Sequence, residues 1–141
     1  MEGNIPPLFC LLLKNTWQKL SRYYNQLLSK YDLTVQKALL LLEIPPGSGK
    51  NPRSLAKSLD LENSSMTGLL DRIEKQGLIE RQRDPNDRRG ILIFLTPQGL
   101  EARQTIHSLV EELDNKLQSA LSAEEVKIFR KVISTINKQL L

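Results

Sequence analysis

The sequence predicts a mainly α-helical protein that carries one β-hairpin, and three observations indicate this fold class. Apolar residues recur at helical spacing through most of the chain, beginning with residues 8–31. The stretch RQRDPNDRRGILIFL, residues 81–95, places strong turn-forming residues before a short apolar run, which is typical of a hairpin. At 141 residues, the chain is long enough to bury one core and short for two domains.

The first half of the sequence predicts three helices. Residues 8–31 form the first, because their apolar side chains repeat at helical spacing over roughly six turns. Thr34 is a suitable N-cap for a second helix over residues 35–43. Asn51 caps a third, short helix, in which Pro52 takes the first position, where proline is favoured.

The second half predicts three more helices and the hairpin. The fourth helix begins near Asn63 and runs to about Gln76, and Gly77 ends it by adopting a left-handed conformation. After the hairpin, Thr96 opens a long fifth helix. Ser122 starts the last helix through the capping box Ser-Ala-Glu-Glu.

Composition excludes several classes of protein. The formal net charge of +4 permits a polyanionic partner without requiring one. The single cysteine, Cys10, excludes a disulfide framework and indicates a reducing, cytoplasmic location. No apolar run approaches the roughly 20 residues of a membrane span, so no membrane association is expected.

No residue pattern indicates an enzyme. The only histidine, His107, has no serine or acid at catalytic spacing, and one histidine with one cysteine cannot form a common zinc site. The GSGK segment at residues 47–50 lacks the spacing of a phosphate-binding loop and is predicted to be a flexible turn. We therefore expect no catalytic residues, no metal and no cofactor.

The third and fourth helices have the spacing of a helix–turn–helix, whose second helix can enter a DNA major groove. The hairpin that follows would be a wing, so the sequence predicts a winged helix–turn–helix. The fourth helix starts with short polar side chains and a glycine that can reach base edges and phosphates, namely Asn63, Ser64, Ser65, Thr67 and Gly68. The alternative is that Asn63 and Ser64 only cap the helix and that Ser65 and Thr67 are neutral surface.

Two adjacent arginines, Arg88 and Arg89, stand at the tip of the predicted wing, and Arg81 and Arg83 add to the arginine content of the hairpin. The planar, permanently charged fork of arginine suits phosphates and a narrow, negative minor groove. Asp87 is expected to hold one guanidinium in place. The alternative is a solvated loop whose charge only keeps the protein soluble.

Residues 71–99, DRIEKQGLIERQRDPNDRRGILIFLTPQG, closely resemble the signature of MarR-type winged helix–turn–helix transcription regulators. The shared pattern comprises Asp-Arg near the helix end, Gly-Leu-Ile then Glu-Arg, Asp-x-x-Asp-Arg-Arg at the wing, and Leu-Thr-x-x-Gly before the next helix. The resemblance implies a homodimer in which residues 1–33 and 96–141 form dimerisation helices and residues 34–95 bind DNA. It also implies a repressor of a pseudo-palindromic operator that a small-molecule or oxidant signal releases.

The resemblance also implies functions for individual residues. The start of the fourth helix would face the major groove, Arg72 would contact or brace the DNA backbone, and Arg88 and Arg89 would serve the wing. Gly68 departs from the pattern, because many family members carry a larger polar or basic residue there. This departure argues against a base-specific contact at Gly68.

The sequence offers two alternative candidates for the site that senses the release signal. Cys10 is either a small buried residue of the first helix or a peroxide-sensing thiol held by tyrosines, as in the organic-hydroperoxide branch of the family. Tyr24 lies at the spacing of that branch, but Lys14 occupies the position of the other expected tyrosine. The second candidate is a pocket for a small aromatic ligand between the dimer helices and the winged domain, lined by Trp17, Tyr23 and Tyr24.

The predicted function is therefore sequence-specific DNA binding in transcription regulation. A protein of another class is the alternative, since a winged helix can serve protein–protein interaction without binding DNA. Retention on heparin and salt-dependent binding to random duplex would favour DNA binding.

Overall fold

The computed structural model describes residues 8–141. Within this range the chain forms six α-helices and one two-stranded antiparallel sheet, as the sequence predicts. In chain order the elements are α1 Phe9–Ser29, α2 Val35–Glu43, α3 Pro52–Ser58, α4 Asn63–Lys75, β1 Ile79–Arg83, β2 Ile91–Leu95, α5 Pro97–Ser119 and α6 Ala123–Gln139. The chain divides into two compact units, with the boundary between Ile106 and His107, inside α5.

The first unit is built on the apolar faces of its helices and on the hairpin. In α4, apolar residues at i, i+3, i+4 and i+7 are all buried, as their spacing predicts. Burying one large apolar side chain contributes roughly 1.5–3 kcal/mol. The largest fully buried side chains are Leu40, Leu41, Ile44, Leu55, Met66, Leu69, Ile73, Ile79, Ile93 and Ile106.

Side-chain caps mark the start of three helices at the residues that the sequence predicts. Thr34 and Asn51 cap α2 and α3 through side-chain oxygens that accept a backbone N–H of the first turn. Ser122 and Glu125 form a complete capping box at the start of α6. These caps satisfy N–H groups that have no partner within the helix. The three predicted helix starts are confirmed.

The ends of α1, α3 and α4 share one backbone arrangement, the Schellman motif. The residues with positive φ that close the three helices are Asp32, Asp60 and Gly77. In each case the next N–H bonds to the carbonyl oxygen five residues earlier, at 2.9–3.3 Å. The sequence predicts only Gly77, because glycine adopts this conformation freely whereas another residue costs roughly 1–2 kcal/mol.

β2 also pairs with a residue outside the hairpin, which the sequence does not predict. β1 and β2 pair over all five residues of each strand. Lys50 then pairs with Ile93 of β2, with its N–H 2.9 Å from the Ile93 oxygen and its oxygen 2.8 Å from the Ile93 nitrogen. Gly49 packs closely beside it, since a Cβ there would lie 2.6 Å from the Phe94 ring. The prediction of a flexible turn over residues 47–50 is therefore wrong at its C-terminal end.

The start of α5 packs against the segment that links α4 to β1. Thr96 Oγ1 accepts the N–H of Gly99 at 3.0 Å and donates to the carbonyl oxygen of Gly77 at 2.5 Å. A Cβ at Gly99 would lie 1.8 Å from the carbonyl oxygen of Leu78. The Leu-Thr-x-x-Gly sequence is therefore needed here because the two backbones approach too closely for any side chain.

The second unit, His107–Leu141, contains the rest of α5 and all of α6. No side chain of α6 is buried in the single chain. Its apolar residues Ile128, Phe129 and Val132 are 51, 59 and 46 % exposed. Within residues 8–141, no helix is both long and apolar enough to cross a bilayer.

Candidate nucleic-acid interface

The candidate interface begins with the helix–turn–helix formed by α3 and α4. The turn covers residues 59–62, and the left-handed conformation of Asp60 lets the N–H of Leu61 bond to the carbonyl oxygen of Ala56 at 2.9 Å. The apolar face of α4 is buried, from Met66 to Ile73. The opposite face of α4 is therefore presented to solvent.

The N-terminal turn of α4 is open. Its N-cap residue is Glu62, and no side chain caps the helix start. Asn63, Ser64 and Ser65 are all exposed within the helix itself. The alternative in which Asn63 and Ser64 cap α4 is therefore wrong. The first-turn N–H groups have no side-chain cap, and together with the helix dipole they favour an anion.

Further along the exposed face, Thr67 and Gly68 each have a contact within α4. Thr67 Oγ1 donates to the carbonyl oxygen of Asn63 at 2.9 Å, so its hydroxyl hydrogen is used within the helix and its methyl group stays free. A Cβ at Gly68 would lie 3.4 Å from Arg72 Nη1. Arg72 itself is exposed.

The wing loop is held by its own backbone and aspartates. The carboxylates of Asp84 and Asp87 accept the N–H groups of Asn86 and Arg89, at 2.9 and 3.1 Å. Arg88 and Arg89 are exposed, and in the described part of the chain neither forms an ion pair. The expectation that Asp87 holds a guanidinium is wrong, because its carboxylate bonds to the backbone. Both guanidinium groups are thus free for an anionic partner.

Arg81 differs from the wing arginines. Its two terminal nitrogens lie 2.8 Å from Asp71 Oδ1 and 2.5 Å from Glu74 Oε1, so it joins β1 to α4. Its charge is neutralised within the protein and does not add to the interface. The acids three residues apart on α4 were a signal for this contact, which the count of hairpin arginines missed.

The proposed sensor residues are only partly brought together. Trp17 lines a groove of about 640 Å³ with residues of α1, α2 and the helix–turn–helix turn, and none of the described residues that line it is ionisable. Tyr23 and Tyr24 do not line this groove, and their rings meet edge to face at 6.1 Å. Cys10 is exposed in the single chain, which contradicts a buried position within it.

Comparison with known proteins identifies the family. The MarR family model matches residues 33–91. The multiple antibiotic resistance protein MarR of Escherichia coli is 36 % identical over 110 residues, which cover 77 % of this chain and 76 % of that protein. The chain belongs to the MarR family. The predicted family and the predicted winged helix–turn–helix fold are confirmed.

Two solved structures extend the comparison to the whole fold. The reduced form of E. coli MarR has a TM-score of 0.82 at 31 % identity and covers 95 % of this chain and 98 % of that one. A MarR mutant from E. coli complexed with operator DNA has a TM-score of 0.79 at 32 % identity, covering 89 % of this chain and 90 % of that one. The helix–turn–helix and wing of this MarR-family chain are therefore those of a DNA-binding architecture.

Proposed function

We propose that this MarR-family chain binds double-stranded DNA as a homodimer at a pseudo-palindromic operator and represses transcription in the cytoplasm. The observation that carries the proposal is the exposed, uncapped N-terminal turn of α4, with the short side chains of Asn63, Ser64 and Ser65. Membership of the MarR family and the likeness to a MarR mutant bound to operator DNA support it. No enzymatic activity is proposed.

Each part of the interface has its own task in this proposal. Ser64, Ser65 and Thr67 contact base edges in the major groove, where short polar side chains and a methyl group can distinguish base pairs. Arg88 and Arg89 act on the DNA beside the wing, where a narrow minor groove concentrates negative potential. Affinity then comes mainly from charge, and sequence preference from α4.

We also propose that residues 1–33 and 96–141 form the dimer interface, with residues 34–95 as the DNA-binding region. Phe9 and Trp17 of α1 are 68 and 50 % exposed, and α6 has no buried side chain. Exposing large apolar side chains of helices to water is unfavourable, and this favours association with a second copy of the chain. We expect a dimer in sedimentation velocity at micromolar concentration, and a folded monomer would contradict the proposal.

The proposed function is tested by selecting bound duplexes from a random pool. Two-fold symmetry predicts inverted half-sites about one helical turn, roughly 34 Å, apart. Enrichment of a single asymmetric half-site would contradict the dimeric mode of binding. A pool with no enrichment, and no retention on heparin, would favour a winged helix used for protein–protein interaction.

We propose that one of two kinds of signal releases the protein from DNA. A small aromatic ligand would occupy the Trp17 groove. The described residues that line this groove include no ionisable group, so they give the carboxylate of an aromatic acid no ionic partner. An oxidant would act at Cys10, which is exposed. Comparing DNA release by hydroperoxide in the wild type and in Cys10→Ser separates them, since an equal response in both proteins would exclude the thiol.

A further inference from the structure

Arg72 and Gly68 are placed so that one fills the space left by the other. Residues four apart on a helix lie on the same face, and long side chains lean towards the helix N-terminus. In agreement with this direction, Arg72 Nη1 lies 3.4 Å from a Cβ built on Gly68, and apart from the chain neighbours of Gly68 no other described side chain comes within 4 Å of it. The Arg72 guanidinium therefore lies over the surface of α4 that a side chain at Gly68 would cover.

The Arg72 guanidinium is also unpaired. Two acids lie close to Arg72 in the sequence of α4, Asp71 just before it and Glu74 two positions after it. Both bind Arg81. Among residues 8–141, Arg72 has no carboxylate within 4 Å. A free, planar fork on the exposed face of a recognition helix matches the O6 and N7 acceptors of guanine, which take two hydrogen bonds in the major groove.

We infer that Arg72 reads a guanine in each half-site through the space that Gly68 leaves open. The inference rests on the proposed function, because it needs α4 in the major groove. It gives Arg72 a base contact in place of the backbone contact that the family resemblance implies. Gly68 is then a positioning residue, since a larger side chain there would displace the guanidinium.

The test uses the full-length protein and the operator obtained from the random pool. Each guanine is replaced, symmetrically in both half-sites, by 7-deazaguanine, which lacks the N7 acceptor. We expect one position in each half-site at which this replacement weakens wild-type binding by about three-fold or more. That position identifies the guanine that an arginine contacts.

The Arg72→Ala variant then assigns the contact. It removes the guanidinium and leaves no donor in its place, so operator affinity should fall about 5- to 150-fold per half-site while affinity for random duplex falls much less. The sensitive guanine should become insensitive to 7-deazaguanine. Gly68→Gln, which fills the same space, should also remove this sensitivity. Arg81→Ala, the same substitution at an arginine that binds two carboxylates of α4, should keep the wild-type pattern.

The outcomes are distinct. If Arg72→Ala shows the wild-type pattern of 7-deazaguanine sensitivity, or if no guanine is sensitive in the wild type, the assignment of Arg72 is overturned while DNA binding stands. If the random pool enriches no duplex, the proposed function itself fails and the inference fails with it. Because Arg72 is exposed, circular dichroism of Arg72→Ala should match the wild type.

Discussion

At its C-terminal end α4 is fastened to the rest of the first unit, whereas its N-terminal turn carries no side-chain cap. Arg81 binds two carboxylates of its second half, and the Gln76 amide donates to the carbonyl oxygen and the carboxylate of Asp32 at 2.8 and 3.3 Å. Gly77 closes the helix and accepts a hydrogen bond from Thr96. One end is therefore held in a fixed direction, while the other keeps its polar groups free for a partner.

The comparison shows that residue type alone does not reveal function. Arg81 and Arg88 lie seven positions apart in the same hairpin, yet Arg81 joins two elements and Arg88 has no carboxylate partner in the described part of the chain. Two carboxylates compensate the positive charge of an arginine that they bind, so such an arginine attracts phosphate weakly. An arginine without a carboxylate partner attracts phosphate fully, and only arginines of this type are assigned to the candidate interface.

The largest expected effect is at the fastened end, in Gly99→Ala. The new Cβ would lie 1.8 Å from the carbonyl oxygen of Leu78, which also accepts the N–H of Thr96 at 3.1 Å. Because backbone must move and this hydrogen bond must lengthen, we expect the free energy of unfolding to fall by about 3 kcal/mol or more. Urea unfolding at one fixed protein concentration measures it.

Gly47→Ala is the matched control for Gly99→Ala. Gly47 has a φ of 75°, but nothing lies within 4 Å of a Cβ there, so only backbone strain opposes the change. We expect a loss of about 1–2 kcal/mol. Equal losses in the two variants would mean that the close approach at Leu78 does not fasten α4.

The second prediction concerns the open end, in Ser65→Ala. Ser65 is exposed and its hydroxyl forms no hydrogen bond within the described residues, so the fold should not change. Loss of one base contact should cost roughly 1–3 kcal/mol per half-site on the operator and little on random duplex. Titrations on both DNAs measure this difference. Ser108→Ala, an exposed serine of α5, should bind both as the wild type does.

Most structural features that the sequence predicts correctly depend on residues close together in the chain. The caps Asn51 and Ser122 lie within a few residues of the N–H groups that they bind, so a short stretch of sequence is sufficient to identify them. The pairing of Lys50 with Ile93 joins residues far apart in the chain, and no local pattern indicates it. Asp32 and Asp60 close helices in a conformation that glycine favours, so their sequence signal is weak.

The candidate site follows the same division. The turn-rich stretch around Arg88 and Arg89 predicts that both side chains are exposed. The structure confirms this prediction. The partner of Asp87 was predicted wrongly, because the competition between a guanidinium and a backbone N–H depends on loop geometry. The neutralisation of Arg81 needs the packing of β1 beside α4, which only the fold supplies.

The third prediction separates the two kinds of arginine by salt dependence. Arg89→Ala should weaken binding to all sequences and lower the slope of log affinity against log salt by about one for each lost phosphate-type contact, and a dimer has two wings. Arg81→Ala should leave that slope unchanged and instead lower stability by about 1 kcal/mol, since its partners are half exposed. A lower slope for Arg81→Ala would contradict the distinction.

The smallest expected effect tests the contrast between two helix starts, that of α4 without a cap and that of α6 with a capping box. The backbone N–H of Ser122, which donates to the Glu125 carboxylate at 2.9 Å, lowers the pKa of Glu125 below its ordinary value of 4.5, and the nearby Ser122 hydroxyl adds to this shift. A lowered pKa in the folded state means that this contribution is complete above pH 4.5 and is lost as the pH falls through the lowered value. Ser122→Ala should destabilise the α6 start by about 1 kcal/mol at neutral pH.

Amide hydrogen exchange of the first turn of α6 measures this effect locally, because the turn opens before the chain unfolds. Protection of the Glu125 N–H should decrease in the wild type as the pH falls below 4.5, after correction for the intrinsic exchange rate. Glu125→Gln should remove most of this pH dependence, while Glu124→Gln, its exposed neighbour, should keep it. The first turn of α4 has no such box, so its protection should show no comparable loss over the same range, and it should rise instead when operator DNA supplies phosphate to the open N–H groups.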